Sequence, residues 1–219
     1  LDEAARSPHL RWLIVRGAGG CFAAGADIAE FADVYATREA AIANHRTIQA
    51  AMTALESFPG PTLAAIEGAC VGGGCGLALA CDLRYAALDA RFGVTTGKLG
   101  LVYGVSDTRR LVQAVGVSQA KDILFTGRLI DAARARDIGL IDWLAEEGNL
   151  DDAIAALRND LCAASSHTAR ATKQILSMLR HGLVDDTDES RALFADAFMG
   201  EDLQEGMRAF LERRPPRFA

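Results

Sequence analysis

The sequence predicts an α/β fold in which short strands and helices alternate, followed by a C-terminal region that is almost entirely helical. Apolar runs at residues 10–15, 62–66 and 82–87 suit buried strands. Helical patterns and glycine-rich turns separate these runs, which favours parallel strands joined by right-handed crossovers. After Gly104 the apolar spacing becomes helical. The 219 residues are 50% hydrophobic and 24% charged, which suits one domain with a substantial core.

Local signals predict where each element begins and ends. Apolar residues at helical spacing over residues 37–58, stopped by Pro59-Gly60-Pro61, predict the longest helix. A short helix is expected at residues 27–31, and Gly139 is expected to cap a helix over residues 132–138. The other predicted elements are a turn at 72–74, a short buried helix at 75–80, and helices at 107–115, 118–125, 150–162, 169–179 and 189–211.

Charge and composition exclude several functional classes. The net charge of −6 provides no basic surface for nucleic acid or an anionic membrane, so neither partner is expected. The 5 cysteines lack a C-x-x-C pair and the 4 histidines are scattered, which predicts reduced thiols and no metal site. Glu67 and residues 72–74 interrupt the weakly charged stretch 61–81, which therefore cannot be a membrane span of about 20 apolar residues. No signal or transit peptide is recognised, so a cytoplasmic location is expected.

Two glycine-rich turns, residues 17–25 and 68–74, each follow a predicted strand and open a helix. Such turns present free backbone N–H groups at a helix N-terminus, where partial positive charge favours a developing anion. If the turns converge, they could bind one oxygen atom together. The alternative is that the glycines only permit close packing or a positive φ.

Nucleotide-binding and nucleophile motifs fail at specific residues. The first turn has Phe22 where a dinucleotide fingerprint requires its third glycine. Residues 93–98 are one position too short for a P-loop, and Leu99 replaces the Ser or Thr that binds magnesium. Cys75 lies between two glycines, but Leu77 breaks the nucleophile-elbow pattern, so Cys75 is predicted to be a buried packing residue.

Several motifs, in order, resemble the crotonase superfamily, the enoyl-CoA hydratase/isomerase family. Residues 13–17 with 21–28 resemble its first signature, and residues 61–82 resemble its second. The match continues through Phe92-Gly93, Leu99-Gly100-Leu101, Arg109-Arg110-Leu111, 124–127, 139–141 and 210–215. The resemblance covers essentially the whole chain.

This resemblance implies a crotonase (ClpP-like) ββα spiral with a C-terminal helical region. Residues 1–145 would form the acyl-CoA-binding core, without the strand and helix that usually precede it in the family. Residues 146–219 would be the helical region, which in the family builds trimers, usually paired as hexamers. A homotrimer or homohexamer is therefore expected, because an apolar helical tail needs cover.

The resemblance also implies an oxyanion hole. The two backbone N–H groups that grip the thioester oxygen of an acyl-CoA in the family match Ala26 and Gly73. Donors aimed at an oxygen that becomes an enolate stabilise the transition state more than the ground state. Coenzyme A belongs to the substrate, and no other cofactor is implied. Its expected contacts are Ala24, Asp27, Ile28 and Gly72, with Arg213, Arg214 and Arg217 as candidates for its phosphates; taken alone, Asp27 would be a helix-capping acid.

The proton-transferring carboxylates of the family have no counterpart at the matching positions. The two hydratase glutamates match Gly76 and Thr96, and the aspartate of the dehalogenase and dienoyl-CoA isomerase branches matches Gly104. A positioned general acid or base supplies about 10² to 10⁴ in rate. Efficient hydratase, isomerase and dehalogenase activities are therefore disfavoured.

Residues 92–103 resemble the methylmalonyl-CoA decarboxylase branch, in which a Thr and a Tyr matching Thr95 and Tyr103 face the substrate carboxylate. Decarboxylation needs no base, because the departing CO₂ leaves its electrons in the thioester enolate. It is the leading single reaction, although Gly76 departs from this branch as well. The alternative is that Thr95 caps a turn and Tyr103 packs with its hydroxyl in water.

Three further hypotheses stay open. A weak hydratase or isomerase could use Asp107 as its acid, although a surface N-cap is the simpler interpretation of that residue. A noncatalytic acyl-CoA-binding protein would bind thioesters without turnover. A hydrolase would need Ser106 or Cys75 in contact with His45 or His167.

Overall fold

The computed structural model describes residues 1–7, 10–146 and 149–218, and the element order confirms the predicted fold class. Strands and helices alternate up to Leu144, and only helices follow in the described chain. The chain separates into two compact units. The first comprises Leu1, Ile14–Phe58 and Thr62–Ile154, and the second comprises Asp2–Leu13, Pro59–Pro61 and Ala155–Ala219. The division at residues 145/146 stays a prediction.

The strands form two small sheets, ordered β1-β2-β4-β7 and β3-β5-β6. The β2/β4 pair joins two predicted strands and is parallel, as expected. Pairs β4/β7 and β3/β5 are also parallel, whereas β5/β6 is antiparallel. Four strands of two or three residues were not predicted, because so short a segment shows no periodicity. The strands are β1 (Leu13–Arg16), β2 (Thr62–Ile66), β3 (Ala69–Val71), β4 (Leu83–Ala86), β5 (Arg91–Gly93), β6 (Ile130–Asp131) and β7 (Trp143–Leu144).

Most of the predicted helices are present. The helix at residues 2–5 was not predicted, and the helix predicted at 27–31 is a 3₁₀ turn followed by a helix at 31–34. The two helices predicted at 107–115 and 118–125 are confirmed, because the backbone of Gly116 is not helical (φ 74°, ψ 165°) and divides the segment Val105–Thr126 between them; the whole segment is labelled α5. The helix predicted over 189–211 is wrong as a single element, because the extended backbone of Gly200 divides it. The helices are α1 (Asp2–Ala5), α2 (Phe31–Val34), α3 (Arg38–Glu56), α4 (Gly73–Ala80), α5 (Val105–Thr126), α6 (Ala132–Asp137), α7 (Leu150–Ala163), α8 (Ser166–Arg180), α9 (Asp188–Met199) and α10 (Glu201–Leu211), with 3₁₀ turns at Ile28–Glu30 and Thr95–Leu99.

The short helix α4 lies in the core of the first unit, where it packs against α3, α5 and β3. Its residues Cys75, Ala78 and Ala80 are buried, and fully buried side chains of β2 and β5 such as Leu63 and Phe92 belong to the same core. Burial fixes α4 in place, so the position of its N-terminus is well determined. No cysteine is disulfide-bonded in the described chain, and Cys70, Cys75 and Cys81 are buried.

Candidate active site

The two glycine-rich turns meet at the N-terminus of α4. A methyl group on Gly25 would lie 3.2 Å from the Val71 carbonyl oxygen and 3.7 Å from the Gly73 nitrogen. Gly25 also has φ 103°, and Gly72, the N-cap of α4, has φ 57°. Only glycine adopts such conformations without strain, so these residues let the two backbones adjoin.

Hydrogen bonds to β3 and β5 hold the two turns in register. Ala23 donates its N–H to the Ala69 carbonyl at 2.8 Å, and Val71 donates back to Ala23 at 2.9 Å. Gly72 donates to the Gly93 carbonyl at 2.8 Å. Strand pairing therefore positions the segments that carry Ala26 and Gly73.

Ala26 and Gly73 are exposed, and in the described chain neither backbone N–H donates a hydrogen bond. Gly73 is the first residue of α4, where helical N–H groups lack partners and carry partial positive charge. Two free donors in adjoining turns can bind a carbonyl oxygen that gains negative charge.

The residues predicted to contact coenzyme A lie in the exposed loop after the first turn. Ala24, Asp27 and Ile28 are all exposed, and Ile28 is 58% exposed. The Asp27 carboxylate accepts from the Ala29 N–H at 2.9 Å, so it caps the first 3₁₀ turn. Its expected contact with coenzyme A stays a prediction.

The space beside Gly76 is filled by two side chains from the segment that enters α5. A methyl group on Gly76 would lie 3.1 Å from the Tyr103 hydroxyl and 3.3 Å from Oδ1 of Asp107. Gly76 follows Gly73 by about one helical turn, so both lie on one face of α4. The Asp107 carboxylate therefore lies close to the free N-terminus of α4, where the resemblance placed a glutamate on α4 itself.

Asp107 is buried, and the surface N-cap interpretation of this residue is wrong. Only 8% of Asp107 is exposed, and the N-cap of α5 is Gly104. Its Oδ2 accepts from the Gln49 amide at 2.6 Å, and its Oδ1 accepts from the Arg110 guanidinium at 3.1 Å. A buried carboxylate requires such charged and polar partners.

A network of compensating charges supports Asp107. Arg110 also pairs with Glu56 at 2.9 Å, and Arg109 pairs with Glu56 at 3.1 Å. Two carboxylates thus face two guanidinium groups. The roles of Gln49, Glu56 and Arg110 were not predicted from the sequence. The sequence did contain one signal: Gln49 and Glu56 are separated by two helical turns, which puts both side chains on one face of α3.

His45, on the same helix α3, contacts the loop before α5. A methyl group on Gly104 would lie 2.6 Å from Cε1 of His45 and 3.5 Å from Oδ2 of Asp107. His45 itself is exposed. An imidazole is therefore placed beside the third position at which the resemblance found no carboxylate.

Tyr103 reaches this cluster, whereas Thr95 shows no bond to it. The Tyr103 hydroxyl donates to the Gly72 carbonyl at 3.5 Å, so the interpretation that leaves it in water is wrong. Burial raises the pKa of Tyr103, with the nearby thiol and carboxylate groups adding to the effect, so the phenol stays protonated. Thr95 does not cap the 3₁₀ turn at Thr95–Leu99, because the N-cap residue of that turn is Val94. In the part of the chain described, no hydrogen bond joins Thr95 to Tyr103 or to Asp107.

The hydrolase hypothesis requires a nucleophile bonded to a base. Cys75 is buried, and its contact with Cys70, together with burial, raises the pKa of the Cys70 thiol. Between residues 10 and 146 no hydrogen bond joins Ser106 or Cys75 to His45. His167 is an exposed residue of the second unit. The geometry does not favour hydrolysis.

The arginines proposed for the coenzyme A phosphates lie at the end of the second unit. The Arg214 guanidinium binds Glu205 at 2.6 Å and Glu212 at 2.6 Å, and the Arg217 N–H donates to Glu205 at 2.8 Å. Arg213 has a positive φ of 55°. Since carboxylates already neutralise Arg214, its charge is not free for a phosphate.

Residues 1–7, 10–146 and 149–218 contain no group of three or more His, Cys, Asp or Glu side chains that could hold a metal ion. Each helix in those ranges is too short or too polar to cross a bilayer.

Comparisons with known proteins agree over the whole chain. The model of the enoyl-CoA hydratase/isomerase family matches residues 1–219. A Thermus thermophilus protein that carries an enoyl-CoA hydratase name is 39% identical over 223 residues, covering 100% of this chain and 87% of that protein. The mouse mitochondrial methylglutaconyl-CoA hydratase is 32% identical over 224 residues, covering 100% and 71%. A crystal structure of an enoyl-CoA hydratase/isomerase family protein from Hyphomonas neptunium superposes with a TM-score of 0.96 at 48% identity, covering 100% and 84%. The chain therefore has the crotonase fold and belongs to the enoyl-CoA hydratase/isomerase family.

Proposed function

We propose that the protein hydrates or isomerises an enoyl-CoA, with the thioester enolate held by the Ala26 and Gly73 N–H groups and the proton transferred by Asp107. One observation carries this proposal. The Asp107 carboxylate lies 3.3 Å from the point that a side chain on Gly76 would first occupy, about one helical turn from the Gly73 amide. It supplies a carboxylate near the place of the missing glutamate.

The expected contributions are large enough for catalysis. Each oxyanion-hole donor is worth roughly 3 to 4 kcal/mol in the transition state. A positioned acid or base adds about 10² to 10⁴ in rate. Gln49 and Arg110 use two of the roughly four acceptor positions of the Asp107 carboxylate, so positions remain for a water or an α-proton. No cofactor beyond the coenzyme A of the substrate is required.

Decarboxylation of a malonyl-type thioester is the second candidate, and Tyr103 favours it. Its protonated hydroxyl lies 3.1 Å from the Gly76 methyl position and could redirect its hydrogen bond from the Gly72 carbonyl to a substrate carboxylate. Against it, two carboxylates about 5 Å apart repel by roughly 3 kcal/mol at an effective dielectric constant of about 20. Asp107 would impose this repulsion on a malonyl group.

The oxyanion hole can be tested by removing the backbone N–H donor of Gly73. Gly73→Pro deletes the amide donor at the first position of α4, where proline suits a helix. Gly73→Ala keeps the donor, and its methyl would make an ordinary contact of 3.9 Å with Gly25. We expect Gly73→Pro to lose about 10²- to 10³-fold in kcat and Gly73→Ala to stay close to the original.

The reaction itself is identified by mass spectrometry with crotonyl-, malonyl- and methylmalonyl-CoA. Hydrated or isomerised crotonyl-CoA supports the leading proposal, and CO₂ release supports the second. Binding of every thioester without turnover would refute both and leave an acyl-CoA-binding protein.

The helical region 146–219 is proposed to form the contacts of a homotrimer or homohexamer. Large apolar side chains of α9 and α10 are strongly exposed, including Phe194 at 66%, Met199 at 82% and Phe210 at 83%. Clustered exposed apolar surface marks interaction sites. Analytical ultracentrifugation that gave a monomer at micromolar concentration would contradict this assembly. The cytoplasmic location stays a prediction.

A further inference from the structure

Two glycines beside Asp107 occupy positions where the backbone does not require glycine. Gly104 has φ −62° and ψ 156°, which any residue adopts. Gly76 lies inside α4, where glycine costs about 1 kcal/mol relative to alanine. What both positions require is space. Gly76 admits Tyr103 and Asp107, and Gly104 admits His45.

The side chains beside these two glycines extend from the solvent-exposed His45 to the buried carboxylate of Asp107. His45 is exposed, whereas Asp107 is 8% exposed. Nε2 of His45 lies 3.3 Å, and Oδ2 of Asp107 lies 3.5 Å, from one and the same point above Gly104. No hydrogen bond joins the two side chains directly in the described structure. The separation of Nε2 and Oδ2 therefore cannot exceed the sum of these two distances. One or two water molecules can bridge such a gap.

Hydration and isomerisation release no net proton, so a buried carboxylate that takes up a proton either returns it to the same substrate molecule or exchanges it with solvent through a neighbouring group. Arg110 cannot carry this proton, because a guanidinium does not deprotonate in proteins, and the Gln49 amide does not titrate. Tyr103 stays protonated in its buried position. Of these four neighbouring side chains, only His45 has an imidazole ring, whose two nitrogens can accept a proton on one side and release one on the other.

We propose that His45 is the proton relay between Asp107 and solvent, an inference that rests on the proposed function. The substrate proton forms an O–H bond on the Asp107 carboxylate. The carboxyl group then loses a proton, through bridging water, to Nε2 of a neutral His45. The resulting imidazolium releases the proton on Nδ1 to bulk water, and exchange of the ring protons with solvent restores the starting tautomer. The carboxylate and the neutral imidazole are regenerated, no electrons are transferred, and the reverse sequence returns a proton from solvent to the product, so no net proton is released.

The test measures steady-state kinetics of crotonyl-CoA turnover for His45→Gln, which keeps the size of the side chain but cannot ionise. We expect kcat to fall about 10- to 100-fold with KM within about two-fold, since proton transfer is slowed and binding is not. His167→Gln, an exposed histidine outside the cluster, is the matched control and is expected to keep the original kcat. For His45→Ala, added imidazole is expected to restore part of kcat.

Gly104→Ala provides a second, independent variant, because its methyl would lie 2.6 Å from Cε1 of His45 and must displace the ring. Its effect and that of His45→Gln are expected to be non-additive, since both interrupt one relay. Thermal unfolding of each variant checks that the fold is kept. Unchanged kcat in His45→Gln with Asp107→Asn inactive would overturn the relay and leave the proposed function standing. An active Asp107→Asn would overturn the proposed function itself.

Discussion

Asp107, on α5, reaches across to Gly76, on α4, and places Oδ1 3.3 Å from the position of a Gly76 side chain. The carboxylate is buried and held by Gln49 and Arg110. Its chemistry near the Gly73 amide therefore depends on a contact between two helices.

Removing the charge of Asp107 tests its part in proton transfer. Asp107→Asn keeps the shape of the side chain but eliminates the base, so we expect kcat to fall about 10²- to 10⁴-fold. Asp185→Asn removes the same charge at an exposed position and serves as the control. The measurement is the rate of crotonyl-CoA turnover. Comparable rates for the two variants would exclude Asp107 from catalysis.

Arg110 is expected to be essential for stability. It is 2% exposed and pairs with both Asp107 and Glu56. Arg110→Met would leave buried carboxylates undercompensated, which costs about 3 to 5 kcal/mol. Arg191→Met, at a guanidinium 62% exposed, is expected to cost less than about 1 kcal/mol. Urea unfolding of both variants measures the difference, and equal costs would contradict the role of Arg110.

A pair of Gly→Ala substitutions separates helix propensity from site geometry. Gly206 lies in α10 with no atom within 4 Å of an added methyl, so Gly206→Ala is expected to stabilise the protein by about 0.5 to 1 kcal/mol. Gly76→Ala gains the same propensity but pushes on Tyr103 and Asp107. We expect it to lower kcat at least about ten-fold with little change in stability. Kinetics and urea unfolding check both; full activity in Gly76→Ala would mean that the contacts at residue 76 do not matter.

The carboxylate of Glu205 makes stability depend on acid pH. Hydrogen bonds from Arg214, and then from the Arg217 backbone, lower its pKa from 4.5 to about 2. A lowered pKa means that the folded state prefers ionised Glu205, so this stabilisation is complete above pH 4.5 and is lost as the pH falls towards 2. The difference in melting temperature between the original protein and Glu205→Gln should therefore shrink over this range. A difference that stayed constant down to pH 2 would contradict this assignment.

Elements with strong local signals were predictable from sequence. The long helix predicted over residues 37–58 is α3, Arg38–Glu56, and β2 has the predicted bounds. The break at Gly200 was missed because the apolar helical spacing continues across it, and only the backbone geometry distinguishes it. The division at Gly116 was predicted correctly, since its non-helical backbone separates two helical segments.

The site was only partly predictable. The glycine-rich turns were located because they stand out locally. The position of Asp107 depends on Gln49, 58 residues earlier in the chain, and on the side chain that Gly76 lacks. No local spacing reveals such a contact, because burial of a charged residue depends on partners that only the folded chain assembles.

A glutamate rooted on α4 would move rigidly with the oxyanion donor at the end of that same helix. In the proposed site the acid, Asp107, and the donor, Gly73, are anchored to different helices. A slight slide of α5 along α4 would therefore alter the separation of acid and thioester without disturbing either anchor. Mutations in the seam between these helices, remote from any bound thioester, should then change turnover while leaving affinity intact.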